Sequence, residues 1–459
     1  MVEQRETKHG IEDAGLIASE IAAAVTEALA HDAPGAAADL VRTLKAPDVA
    51  DVIEQLAPDN RVALIQALGT SFDYEVLSEL DETVRDQLSE ALPNDLLARA
   101  VTELDTDDAA YVIESLEESD KQEILAQLPS GDREALERAL DYPEDSAGRL
   151  MQADFVAVAP YWTVGNVIDH MRDSDDLPDE FNEIFVVDPA FRVLGSVELS
   201  RLLRTKRDVA VSEIMNTDRH MVLATEDQEA LARQFQRYDL MSAPVVDANN
   251  RLVGVVTVDD VVEVIQDEAE EDMKALAGVG DESLADSVLE TVRSRVPWLI
   301  VNLGTAILSS SVIAHFDATI QQMVALAVLM PIVASMGGNA GTQTMTVTVR
   351  ALATNKLGRV NAPCVVAREA FVGVANGLIL SIILGTVVFF WFGSSKLGAV
   401  IGAAMVFNAI AAALAGILIP LAMDALDLDP APASGVFVTT VTDIVGFFAF
   451  LGLASIWLL

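Results

Sequence analysis

Residues 181–203, FNEIFVVDPAFRVLGSVELSRLL, and residues 241–265, MSAPVVDANNRLVGVVTVDDVVEVI, are two versions of one strand, turn, strand, helix unit. In each, a β-branched run ends at an aspartate, Asp188 or Asp247, and the second run carries a glycine, Gly195 or Gly254. The interval between the aspartates equals that between the glycines, so the copies are in register. Upstream stretches AGRLMQADFVAVAP (147–160) and VSEIMNTDRHMVLATED (211–227) open the first and second copy. Strand-like runs alternating with helical ones predict a duplicated α/β body over 141–262.

This duplication resembles a tandem pair of CBS domains, with repeats over 141–208 and 209–262. Such pairs regulate enzymes, channels and transporters alike, so the fold alone does not decide function. Before it, residues 1–140 read as a helical superhelical domain. APDVADVIEQL (46–56) and TDDAAYVIESL (106–116) each place acids in a first turn and then apolar residues three and four apart, at Val52, Ile53, Leu56 and Val112, Ile113, Leu116. Taken alone, that segment suits a protein-interaction scaffold equally well. The first 15 or so residues are expected to lack structure. Charges throughout that start leave no apolar core for a signal peptide, so the N-terminus is expected in the cytoplasm.

After Thr257, VDDVVEVIQDEAEEDMKALAGVG (258–280) reads as a two-faced connecting helix, with the linker as a whole assigned to 263–294. Val262, Ile265, Ala269, Met273 and Leu276 form an expected apolar stripe, and Asp260, Glu263, Asp267, Glu270 and Glu271 line the other side. Like charges at this spacing cost a helix about 0.2–0.5 kcal/mol per pair unless cations sit between them. A solvated linker is the plain alternative.

Hydropathy rises abruptly beyond 295. Five spans are read, at 297–316, from Ile320 to about Val349, 364–392, 397–423 and 435–459, each long enough for a hydrocarbon core about 30 Å thick. The formal charge of −42 lies wholly before Arg295, because from Arg295 onward six bases and six acids balance. So acidic a surface repels nucleic acid and gathers cations. With only seven lysines in the chain, it also suits a salt-rich cytosol. A cytoplasmic N-terminus and five spans place the C-terminus outside. Arg293, Arg295, Arg350, Lys356, Arg359 and Arg368 then face inward and only Lys396 outward, in keeping with the positive-inside rule. The single cysteine, Cys364, excludes an intrachain disulfide and a thiol metal cluster.

Polar residues within the spans carry the functional signal. Asp443, in FVTTVTDIVGFF (437–448), lies eight residues beyond Gly435, about 12 Å along a helix and so near mid-bilayer. Thr439, Thr440 and Thr442 surround it in sequence. Two copies facing across a dimer axis would offset a divalent ion; a neutral aspartic acid bonded between helices is the structural alternative. In PIVASMGGNAGTQTMTVTVRALA (331–353), Pro331, Gly337, Gly338 and Gly341 are expected to interrupt or narrow the second span, with Asn339, Thr342 and Gln343 as polar lining. Asn408 adds to the lining from the fourth span.

GGNAGTQ (337–343), REA (368–370), DPAPASG (429–435) and TTVTD (439–443), after the CBS pair and a first span opening with Pro297 and Trp298, resemble the MgtE family of magnesium channels. The resemblance covers nearly the whole chain. It implies a homodimer in the plasma membrane that admits Mg2+ through a five-helix bundle, with Asp443 as the ion site and Asp429 at the pore mouth. It further implies regulatory Mg2+ bound by Glu75, Asp107, Asp239, Asp260, Glu263, Glu268, Glu271 and Asp272, and ATP between the CBS repeats, where no residue assigns a site. Tyr111, one turn after Asp107, and Gln266 depart from the acidic pattern. The rivals are a membrane-anchored divalent-cation sensor without conduction and a Na+- or H+-coupled Mg2+ carrier, for which Glu369 is the only second acid in the spans. No paired nucleophile and base and no phosphate loop points to an enzyme.

Overall fold

The computed structural model describes residues 14–458 apart from 175, 176, 179, 180, 219, 281, 284, 355, 359 and 427. The expectation for residues 1–13 and the charges of Arg359 and Asp427 lie outside the described residues, and a helix is already under way at Ala14. The chain divides into two compact units, Met1–Glu268 and Ala269–Leu459.

The first unit opens with short helices from Ala14–Ala30 to Ser130–Leu140. Acids in the first turn favour the helix N-terminus, as Asp48 does in Ala46–Glu54 and Asp107 with Asp108 in Thr106–Ile113. The apolar residues that follow, Val52, Ile53, Val112 and Ile113, are fully buried, as their spacing predicts. Arg85 is buried among them: its guanidinium lies 3.4 Å from the centre of the Tyr111 ring and donates to Asp86 (3.0 Å) and Glu114 (3.4 Å). Cation–π contact and paired carboxylates are what make burial of a guanidinium tolerable.

The duplicated body holds two three-stranded sheets. Strand β1 (Ala157–Val158) runs parallel to β2 (Glu183–Val187), which pairs antiparallel with β3 (Val193–Glu198). Its twin contains β4 (Val222–Leu223), β5 (Ser242–Val246) and β6 (Leu252–Thr257) in the same arrangement. The repeated aspartates hold the two turns. Asp188 accepts from the backbone N–H groups of Ala190 (2.8 Å) and Arg192 (2.9 Å), and Asp247 from those of Asn249 (2.7 Å) and Arg251 (2.9 Å). The repeated glycines are needed for close approach: a Cβ at Gly254 would stand 2.8 Å from the Gln152 carbonyl, and one at Gly195 would strike that of Asn216.

The connecting helix runs Val258–Leu276. Its buried face differs from the expected stripe: Val261 and Val264 are buried in the core of the second repeat, whereas Val262 is 58% exposed and Met273 71% exposed. The helix begins as the closing element of that repeat, and the repeat's core, not the helix's own periodicity, selects which valines turn inward.

In the second unit five helices are long and apolar enough to cross a membrane: Val288–His315, Ala325–Ala353, Ala362–Phe392, Ser395–Asp424 and Gly435–Trp457, the last within a helix starting at Pro430. A separate short helix, Asp317–Gln322, precedes the second span, so that span starts at Ala325 rather than Ile320. The second span is one unbroken helix, so of the two expectations for its proline and glycines, interruption or narrowing, the interruption does not occur. Gly337 and Gly341, one turn apart, instead let other spans approach: a Cβ at Gly341 would lie 2.6 Å from Val438 and 3.4 Å from Thr442. More than half of the fourth span is buried and only 6% of the first, so the fourth is the axis of the bundle and the first its outer stave.

Candidate functional site

Two acidic sites stand out, a cluster in the first unit and a single carboxylate in the second. In the first unit, Asp105, Asp107 and Asp108 at the start of helix Thr106–Ile113 act electrostatically on Asp260 of the connecting helix, and Glu79 acts on Glu263. Burial, reinforced by Asp260, holds the Asp107 carboxyl well above the usual range. Burial and then Asp260 push Asp108 up to about 7, although Ser78 donates to it. Asp260 is pushed up to about 6 by burial, against a 2.7 Å hydrogen bond from Thr257 Oγ1. Glu263 rises to about 7 through burial, Glu79 and Asp260. Each shift is what a carboxylate does when it loses water and gains like-charged neighbours.

The Asp107 Oδ1 atom is buried without a hydrogen-bond donor among the described residues, an acceptor left for a cation or a water. Carboxylate oxygens are the donor set that hard divalent cations take. Among the described residues, however, no three metal-binding side chains converge as a ready-made cage, so an ion here would draw the carboxylates together. Glu75 joins the cluster through Glu79. Glu268 accepts from Gln228 Nε2 at 2.9 Å, one face away, and Glu271 and Asp272 are exposed further along the helix. Asp239 ends helix Gln228–Tyr238 with a left-handed backbone and an exposed side chain, apart from the cluster. Asp105, Asp108 and Glu79 were missed by the sequence reading, although Asp105, Asp107 and Asp108 form a visible acidic run.

In the second unit a cleft of 640 Å³ is lined by Thr342 of the second span, Thr439, Thr440 and Asp443 of the fifth, and Asn302, Thr305 and Ser309 of the first. Asp443 is partly buried and has no ion-pair partner among the described residues. The threonine hydroxyls are already oriented: Thr439 Oγ1 donates to the Gly435 carbonyl (2.7 Å) and Thr440 Oγ1 to that of Val436 (2.6 Å). Their protons committed, they offer lone pairs to anything in the cleft. The first-span residues were not anticipated. Their three- and four-residue spacing on one face was the available signal, diluted by the leucines and isoleucines between them.

The other expected lining residues lie elsewhere. Gln343 and Asn408 line a second cleft, of 220 Å³, between the second, third and fourth spans, together with Arg368, Glu369 and Asn376. Asn339 is exposed and lines neither cleft. Asp429 caps the helix of the fifth span, accepting from Ala431 N at 2.8 Å.

Three family profiles match this chain: "MgtE intracellular N domain" over 17–145, "CBS domain" over 147–208 and 211–267, and "Divalent cation transporter" over 330–453. The chain is 32% identical over 445 residues to the magnesium transporter MgtE of Thermus thermophilus, covering 96% of this chain and 99% of that one. The chain belongs to the MgtE family. The MgtE magnesium transporter of Bacillus subtilis is 28% identical over 91% of this chain and 92% of its own. Among solved structures, the cytosolic domain of the Mg2+ channel MgtE in complex with ATP is 32% identical, covers 53% of this chain and 99% of that one, and gives a TM-score of 0.48. MgtE proteins are magnesium transporters rather than a class of enzyme, and the five apolar helices make this one a multi-pass membrane protein. Residues 268–329, which hold the first span with its Asn302, Thr305 and Ser309, fall outside all three profiles.

Proposed function

We propose that this chain forms a homodimeric Mg2+ channel in the plasma membrane, taking up Mg2+ past Asp443 and closing when cytosolic Mg2+ binds the acidic cluster. The observation that carries the reading is the 640 Å³ cleft in which a carboxylate at membrane depth, without an ion-pair partner among the described residues, shares its helix with Thr439 and Thr440, whose protons are committed to backbone carbonyls and whose lone pairs are left for the cleft. Mg2+ sheds its water shell reluctantly, so a wide site that accepts hydrogen bonds from that shell suits it better than a tight cage. One carboxylate per protomer attracts the ion, and two across a dimer axis would balance it.

The cytosolic cluster supports the regulatory half of the proposal. Bound Mg2+ would neutralise Asp107, Asp108, Asp260 and Glu263 and let the connecting helix pack; loss of Mg2+ would leave their repulsion to loosen it. Asp239, Glu268, Glu271 and Asp272 are proposed as further ligands, and Asp429 as a pore-mouth acid. The N-terminus is placed in the cytoplasm and the C-terminus outside. ATP is proposed as a ligand of the CBS repeats.

The test is Mg2+ flux into liposomes containing the purified protein, wild type against Asp443→Ala, at low Mg2+ on the cytosolic face. Flux in the wild type and none in an assembled mutant supports the pore. Equal flux in both rejects Asp443 as the ion site, and flux in neither favours a non-conducting sensor. Flux that follows an imposed Na+ or H+ gradient would indicate a coupled carrier.

A further inference from the structure

Asn408 is buried at the centre of the membrane unit with 1% of its surface exposed. Its Nδ2 donates to the Val333 carbonyl of the second span at 2.8 Å, while its Oδ1 is buried with no partner among the described residues. Glycines from two other spans make room for this one amide. A Cβ at Gly446 of the fifth span would stand 2.8 Å from Nδ2 and 3.1 Å from Cγ, and a Cβ at Gly337 of the second span would collide with the same amide.

Burying an amide in a lipid-facing domain with half of its hydrogen-bonding capacity unmet costs free energy that leucine or alanine would not. Packing alone therefore does not account for asparagine here. Its position does: Gly446 is three residues past Asp443, about 4.5 Å along the helix. On the other side, Gly341, one turn beyond Gly337, rests against Val438 and Thr442 of the fifth span, and Thr342 follows it into the cleft. The amide is thus a peg between the helices that carry Thr342 and Asp443.

We infer that Asn408 is a positioning residue that sets the spacing of the second and fifth spans beside Asp443 and thereby which hydrated divalent ion passes. The inference rests on the proposed pore. It is tested with the full-length protein in liposomes by measuring the Co2+ to Mg2+ flux ratio for the wild type, Asn408→Ala, Gly446→Ala and the double variant. Asn408→Ala should shift the ratio by at least about threefold in correctly assembled protein. Gly446→Ala alone should reduce flux, because its methyl meets the amide. Removing the amide makes room for that methyl, so the double variant should move back toward the wild-type ratio.

An unchanged ratio in Asn408→Ala, or losses that simply add in the double variant, would overturn the inference. Should Asn408→Ala fail to assemble, Asn408→Ser serves in the same comparison. The same four proteins are unfolded thermally, a readout independent of conduction. Non-additive melting temperatures alongside normal flux in Asp443→Ala would mean that the peg exists but the pore reading has failed. Additive melting temperatures alongside a dead Asp443→Ala would remove the peg and leave the pore.

Discussion

The cytosolic cluster and the membrane cleft use the same carboxylate chemistry in opposite ways. In the cluster, Glu79, Asp105, Asp107, Asp108, Asp260 and Glu263 act on one another, and burial with this mutual repulsion raises Asp107, Asp108, Asp260 and Glu263 above the ordinary carboxylate range. In the cleft, Asp443 is the one acid among the described lining residues, beside hydroxyls, the Asn302 amide, apolar side chains and Arg295, which is paired with Glu282. Crowded acids store repulsion that a cation relieves, so their packing reports cation concentration. A lone acid in a roomy cleft attracts an ion without enclosing it, so the ion can leave. A sensor benefits from the first arrangement and a conduit from the second.

The comparison breaks most decisively at Asp443. Asp443→Asn preserves shape and removes charge, and it should lower Mg2+ flux by more than about 100-fold while leaving Mg2+-dependent protection of the cytosolic domain from protease untouched. Loss of both properties together would mean that the two acid sites are not separate devices. Next, Asp260→Asn with Glu263→Gln should retain flux and raise the Mg2+ concentration that halves it by about tenfold, as expected when a coupling of 1–3 kcal/mol is lost. Closure at the wild-type concentration would place the sensor elsewhere.

The pH dependence sharpens the contrast. Asp108, Asp260 and Glu263 have folded-state pKa values raised to about 7, 6 and 7, above the ordinary carboxylate range. Their contribution to stability is therefore complete below their unfolded values and is lost as pH rises through 6 to 7. Without Mg2+, the melting temperature of the cytosolic part of the full-length protein should fall between pH 5 and pH 8. Saturating Mg2+ should flatten that profile, and a profile equally steep in both conditions would argue against metal at these carboxylates. The smallest effect is expected at Tyr111→Leu, which removes the stack on Arg85 and should cost about 0.5–2 kcal/mol in chemical denaturation. Its Mg2+ midpoint should move less than about twofold, because Arg85 keeps Asp86 and Glu114 as partners.

Much of the fold was legible because it is written in local patterns. Asp188, Gly195, Asp247 and Gly254 mark turns and close approaches that depend on neighbours in sequence, so their spacing exposed the duplication. Hydropathy likewise exposed the spans. What the sequence left open was context: the glycines of the second span suited either a break or a close approach, and the fifth span's Val438 and Thr442 decide for the approach at Gly341. The apolar stripe assigns Val262 to the inner face of the connecting helix, and the second repeat's core takes Val261 instead. Of the site, Asp443 stood out as the one acid deep in a span. Asp108 and Glu79 did not stand out, since their importance comes from meeting a helix more than a hundred residues away in sequence.

The hydroxyls of Thr439 and Thr440 have one more consequence. With their hydrogens turned to Gly435 and Val436, they leave that side of the cleft with no O–H to give an incoming chloride or phosphate. On that face, discouragement of anions would be built into the helix's own bonding and would not require the carboxylate. A variant whose aspartate has been replaced should keep this cation-favouring face, while Arg295, which also lines the cleft, stays held by Glu282.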